Sequence, residues 1–122
     1  MASIRTYQDL EVWQKGMDLA EGCYRITRSF PTEEKYGLTS QIRRAAVSVP
    51  ANIAEGYGRE YRAEFIQFLR IAQGSLKELE THLLLSIRVE ILDKLETQPL
   101  LDICKSVSRM LRAFIRSLQA KG

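Results

Sequence analysis

Between Phe65 and Leu83 the apolar residues Phe65, Leu69, Ala72, Leu76, Leu79 and Leu83 recur at alternating intervals of four and three. That spacing returns a side chain to one face of an α-helix at every turn, and it is the spacing of left-handed bundle packing. A half-buried strand would alternate by two, and no alternating run bounded by turn residues occurs anywhere in the chain. The segment reads as one helix from about Tyr61 to Glu90. At ~1.5 Å per residue it would be about 45 Å long. A single neighbouring helix of the same chain cannot cover that length, which points to packing against another subunit.

Three further segments carry the same period. The first, about 9–29, has two adjacent apolar stripes: Val12, Leu19, Cys23 and Ile26 with Phe30, and Leu10, Trp13, Met17, Ala20 and Tyr24. A face that broad suits a helix with two neighbours. Thr6 and Asp9 resemble a capping box with a shortened acid at its start, and Pro31 ends it. The second, about 38–58, buries Leu38, Ile42, Ala45, Ala46, Val49 and Ile53. Pro50 falls inside it, removing one backbone hydrogen bond and crowding the Ala46 carbonyl, so a kink is expected there. Gly56 and Gly58 are read as its stop. After a linker around 93–98, Pro99 is placed to open the fourth helix, about 99–119, with Leu100, Ile103, Val107, Leu111, Phe114 and Leu118 inward. Short connections between long amphipathic helices imply one all-α domain over residues 1–122, an antiparallel up-down-up-down four-helix bundle with helix two kinked at Pro50.

Composition narrows the function classes. At 45% apolar and 27% charged residues, the 122-residue chain is ordinary globular material, long enough to bury a core without disulfides or metals. The longest uncharged apolar run, around Leu83–Ile87, is far short of the roughly 20 residues of a membrane span. No apolar leader with a small-residue cleavage site precedes the first helix, so a cytoplasmic location is the expectation. Cys23 and Cys104 fall in apolar phases of their helices and read as buried free thiols.

No constellation of residues supports catalysis. His82 is the single histidine. Neither a Cys-x-x-Cys, a His-x-x-x-His nor a Glu-x-x-His pair is present, which removes zinc and di-iron chemistry. Gly56-Tyr57-Gly58 follows a helix rather than a strand, so it is no phosphate-binding glycine loop. The chain is therefore expected to be non-enzymatic, with no metal and no cofactor.

Two polar stripes remain. Lys105, Arg109, Arg112 and Arg116 are spaced by 4, 3 and 4, and at 100° per residue they lie within about 60° of one another. Residues 99–122 hold five cations, these four and Lys121, against the single acid Asp102. That segment is +4, so the other 98 residues sum to −1 of the net +3. The stripe is either a solvated face favoured by the helix dipole or a surface for nucleic-acid phosphates. No aromatic residue lies between the cations, so base stacking is not indicated. On helix two, Gln41, Arg44, Ser48, Asn52, Glu55 and Arg59 form a polar stripe past Pro50. It reads as a hydrogen-bonded polar layer that sets helix register or a subunit contact, with a ligand pocket at the kink as the other reading.

The run from Tyr36 to Arg59, YGLTSQIRRAAVSVPANIAEGYGR, resembles the central motif of the four-helix-bundle family of 23S rRNA intervening-sequence proteins. Asp9–Gln14, Phe65–Leu69, Ala72, Gly74–Leu76 and Glu78–Thr81 extend the likeness over nearly the whole chain. Tyr61 departs from it, standing where the family commonly has a serine that caps helix three with Glu64. The resemblance implies a bundle that assembles as a homopentameric, barrel-like ring in bacteria. A related branch, the accessory proteins of diversity-generating retroelements, implies RNA or DNA and a reverse transcriptase or another protein as partners. The leading expectation is a pentamer that binds nucleic acid, or a nucleic-acid-processing partner, through helix four. The alternative is a protein–protein scaffold without direct nucleic-acid binding.

Overall fold

The computed structural model describes residues 3–121. Four helices account for most of them: α1 (Glu11–Ile26), α2 (Leu38–Tyr57), α3 (Arg62–Arg88) and α4 (Lys94–Ala120). No strand occurs among the described residues. α1 packs on α2 and α4, and α3 packs on α2 and α4, so the four helices close a square around one core. Successive helices are antiparallel: Thr27 meets Arg43 while Gly16 meets Pro50, Gly56 meets Phe68 while Ser48 meets Ser75, and Arg62 reaches Leu118.

The core follows the apolar period closely in α2 and α3, whereas α4 is rotated from the expected face, burying Leu101, Cys104 and Ile115 and leaving Ile103 and Phe114 half-buried. Leu19, Cys23, Ile42, Ala46, Val49, Ile53, Leu69, Ala72, Leu79, Leu83, Cys104, Val107 and Leu111 are fully enclosed. The broad face of α1 is divided by the fold. Val12, Leu19, Ala20, Cys23 and Ile26 are buried, whereas Met17 and Tyr24 remain in part outside. Cys23 and Cys104 are free thiols, and burial pushes both up to about 12. At Cys104 the carboxylate of Glu80 adds to the effect. Such thiols are protonated and poorly reactive at neutral pH.

Several boundaries differ from those expected from the sequence. α4 begins at Lys94, not at Pro99, and the linker expected around 93–98 is mostly helix. Asp93 is its N-cap, accepting a hydrogen bond from Glu96 N at 3.1 Å, while Thr97 Oγ1 donates to Asp93 O at 2.7 Å. The cap compensates unpaired N–H groups at the helix start, and Pro99 sits one turn further in, where it removes only one donor. Thr6 and Asp9 do not start α1 itself. The Asp9 carboxylate accepts from Arg5 N and Thr6 N, closing the 3-10 turn Tyr7–Asp9 ahead of it. α1 ends at Ile26 and passes into a second 3-10 turn, Thr27–Ser29.

Pro50 lies within a helix that continues to Tyr57. Its ring is buried on α1, where a Cβ placed on Gly16 would be 3.4 Å from Pro50 Cβ. Gly56 is not simply a stop. It is buried inside α2, and a Cβ there would come within 2.7 Å of Phe68 Cβ and 2.9 Å of Phe65 Cδ1. The missing side chain lets α3 approach; Gly58 is the residue that caps α2. Tyr61 supplies no side-chain cap, and α3 starts immediately after it at Arg62.

Candidate nucleic-acid interface

α4 is strongly amphipathic, and its apolar side docks on α1 and α3. The docking turns Lys105, Arg109, Arg112 and Arg116 outward, and all four are exposed. Each is repeated at three or four residues because the inward residues Cys104, Val107, Leu111, Ile115 and Leu118 occupy the complementary phase. The ion pairs of Lys and Arg among the described residues are Arg25–Glu21, Arg59–Glu55 and Lys77–Glu80, and His82 Nε2 faces Glu78 Oε2 at 3.4 Å. None involves the α4 stripe, whose charge is left to solvent or to an anionic ligand.

The fold adds a residue that no single helix reveals. Lys77, on α3, joins Lys105, Arg109 and Arg112 around a shallow groove of about 220 Å³, with Ser108 and Glu80 between them. Lys77 Nζ lies 3.1 Å from Glu80 Oε1. Lys77 stays 69% exposed at its side chain, against 19% for Glu80. The surface is therefore a seam between α3 and α4 rather than a stripe on one helix. Arg116 lies beyond the groove toward the C-terminal end of α4. Near that end Arg62 Nη1 of α3 makes a long 3.4 Å contact with the Leu118 carbonyl. Such an array of exposed donors can hold phosphate oxygens; it contains nothing that would activate a nucleophile.

The helix-two stripe behaves differently, pairing mostly with itself. Arg44 Nη2 donates to Gln41 Oε1 at 2.9 Å, and Arg59 reaches Glu55 at 3.1 Å while lying 4.8 Å over the Phe68 ring. Asn52 Nδ2 donates to Ser48 O at 2.7 Å and to Ser48 Oγ at 2.9 Å. Ser48 Oγ in turn meets Ser75 Oγ of α3 at 2.8 Å. The centre of the stripe is thus a polar joint between α2 and α3. Arg59 itself falls past the end of α2.

A helix-rich square with a long motif on its second helix can be compared with known proteins. The family model described as 23S rRNA-intervening sequence protein matches residues 8–113. The chain belongs to that family. A solved structure of a protein of unknown function, from the S23 ribosomal protein family of Bacteroides thetaiotaomicron, is similar to it at 26% identity. The match covers 85% of this chain and 97% of that one, with a TM-score of 0.77. No curated protein matches with significance. In this member of the intervening-sequence family, the α3–α4 seam gathers four exposed cations, Lys77, Lys105, Arg109 and Arg112.

Proposed function

We propose that the chain is a non-catalytic, self-assembling bundle that binds nucleic acid through the basic seam of α3 and α4. The observation that supports it is the exposure of Lys105, Arg109, Arg112 and Arg116 without carboxylate partners among the described residues, with Lys77 beside them. Contacts of this kind gain affinity by releasing counterions, tolerate sequence and weaken steeply with salt. Assembly, a pentamer by family resemblance, would repeat the seam and add avidity to individually weak contacts. Support for assembly comes from the outer face of α2 and α3. There Val47 and Ile71 are 43% and 45% exposed.

The test is fluorescence anisotropy with labelled 20-nucleotide RNA, single-stranded and duplex, between 25 and 200 mM KCl. Binding at low salt that falls linearly on a log–log plot, and that R109E/R112E weakens at least tenfold without loss of helix content, is expected. No binding at 25 mM KCl, or binding indifferent to that variant, rejects nucleic acid and favours a scaffold that binds protein alone. Light scattering at micromolar concentration tests the assembly, which a monomeric mass would refute.

A further inference from the structure

The α3–α4 seam continues past the basic groove. Beyond Glu80 and Lys105, which border both, it opens into a larger groove of about 830 Å³ near the α3–α4 turn. Its floor is apolar, formed by Leu84, Leu85, Ile87 and Leu101. Leu84 and Leu85 remain 51% and 43% exposed. Contiguous apolar surface framed by charge marks a binding face. The frame is net positive: Arg88, Lys94 and Lys105 border the groove, against the lone carboxylate of Glu80, which already contacts Lys77. No aromatic ring lines it, so it offers no platform for a base.

We propose that this groove receives an amphipathic α-helix of a partner protein, apolar on its inner side and acidic along its edges. Two antiparallel helices leave a trough whose ridges and hollows accept a third helix. Recognition of this kind seats apolar anchors at i, i+3, i+4 and i+7. Along α4 the groove extends from Lys94 to Lys105, about 17 Å at ~1.5 Å per residue, which matches three turns of a bound helix. Acidic residues on the flanks of that helix meet Arg88, Lys94 and Lys105, which sets its partner choice by charge and its affinity by the leucine floor. The site shares only Glu80 and Lys105 with the basic groove, so its test uses residues outside that groove.

The experiment titrates the full chain into three labelled 18-residue peptides. The first carries leucines at i, i+4, i+7 and i+11 with glutamates on both flanks, the second has lysines in place of the glutamates, and the third is a scramble of the first. The glutamate peptide is expected to bind at least tenfold more tightly than either control. L84S/L85S is expected to weaken it at least tenfold, and K94E to narrow the preference over the lysine peptide severalfold. Both changes are at exposed positions, and circular dichroism and unchanged RNA affinity check that the fold and the basic seam persist. Equal binding of the scramble, no binding at 100 µM peptide, or indifference to L84S/L85S overturns the proposal. A fall in solution mass with L84S/L85S also overturns it, because a second copy then covers the groove.

Discussion

Ser48 Oγ and Ser75 Oγ face each other at 2.8 Å across α2 and α3, and Asn52 Nδ2 adds a second hydrogen bond to Ser48 at 2.9 Å. The three side chains are half-buried at the centre of the helix-two motif. Ser48→Ala removes the shared partner of the other two, so it should lower stability by about 1 kcal/mol. Ser75→Ala should matter less, since Asn52 keeps Ser48 as its acceptor. In a double-mutant cycle followed by urea unfolding, the two substitutions should couple by about 0.5–1 kcal/mol. Strict additivity would show that water replaces the bond at no loss.

Two glycines should respond in opposite directions to alanine. At Gly56 the new methyl meets the Phe68 Cβ at 2.7 Å and the Phe65 carbonyl oxygen at 3.3 Å, so α2 and α3 must separate. Overpacking of this kind costs about 1–3 kcal/mol. Gly74 sits mid-helix in open space, where alanine removes the entropy that glycine loses on folding and should stabilise by about 0.5–1 kcal/mol. Thermal melts of G56A and G74A check both signs.

Glu90 has φ of 64°, in the left-handed region. It holds the position after the Val89 cap. Glu90 N donates to Ile87 O at 3.0 Å and Ile91 N to Ser86 O at 2.9 Å, the paired bonds that close a helix through a left-handed residue. Glycine adopts that conformation without the Cβ penalty, so Glu90→Gly should raise stability by up to ~1 kcal/mol. A melting temperature that falls would show that the glutamate side chain contributes contacts of its own.

Lys77 and Glu80 should tune the basic seam from the α3 side. Lys77→Ala removes one phosphate partner and should reduce the slope of log affinity against log salt by roughly 0.7 for single strands. Glu80→Gln removes the carboxylate between the cations and should strengthen RNA binding about threefold, the equivalent of ~0.7 kcal/mol. Salt titrations of both variants with the same RNA test the direction of each change.

The two thiols make stability depend on alkaline pH. In the unfolded chain a cysteine ionises near ~8.5, whereas burial holds Cys23 and Cys104 protonated up to about 12. Their raised pKa values contribute stability that is fully present below ~8.5 and is lost as pH climbs toward 12. The loss is about 1.4 kcal/mol per pH unit for each thiol. C23A/C104A should be less stable at pH 8, through the cavities it leaves, yet lose on the order of 3 kcal/mol less than wild type between pH 8 and pH 10. Equal losses in urea titrations would show that both thiols ionise without penalty in the fold.

The inner faces of α2 and α3 were legible as periodicity because burial selects apolar residues, and a helix returns to the same face every 3.6 residues. Leu69, Ala72, Leu76, Leu79 and Leu83 fall inside for that reason. The start of α4 is obscured in the sequence because Pro99 is a louder signal than the Asp93-x-x-Glu96 pattern, although the latter is the cap the fold uses. Gly56 reads as punctuation in the sequence because a glycine near a helix end is ambiguous until the neighbour it admits, here Phe68, is known.

By itself the sequence determined the helical class, most of the core of α2 and α3, the burial of both cysteines and the basic stripe of α4. All of these follow from spacing along one helix and the chemistry of side chains in that phase. In α4, by contrast, packing buries Leu101 and Ile115 and leaves Ile103 and Phe114 half-buried. Only the tertiary structure decided that Lys77 stands beside Arg109 and Arg112, that Pro50 rests on Gly16, and that Leu84, Leu85 and Leu101 form a common floor rimmed by cations. Which side chains of different helices meet depends on register and interhelical distance. Those are set by the summed packing of the whole core, and no local pattern encodes them.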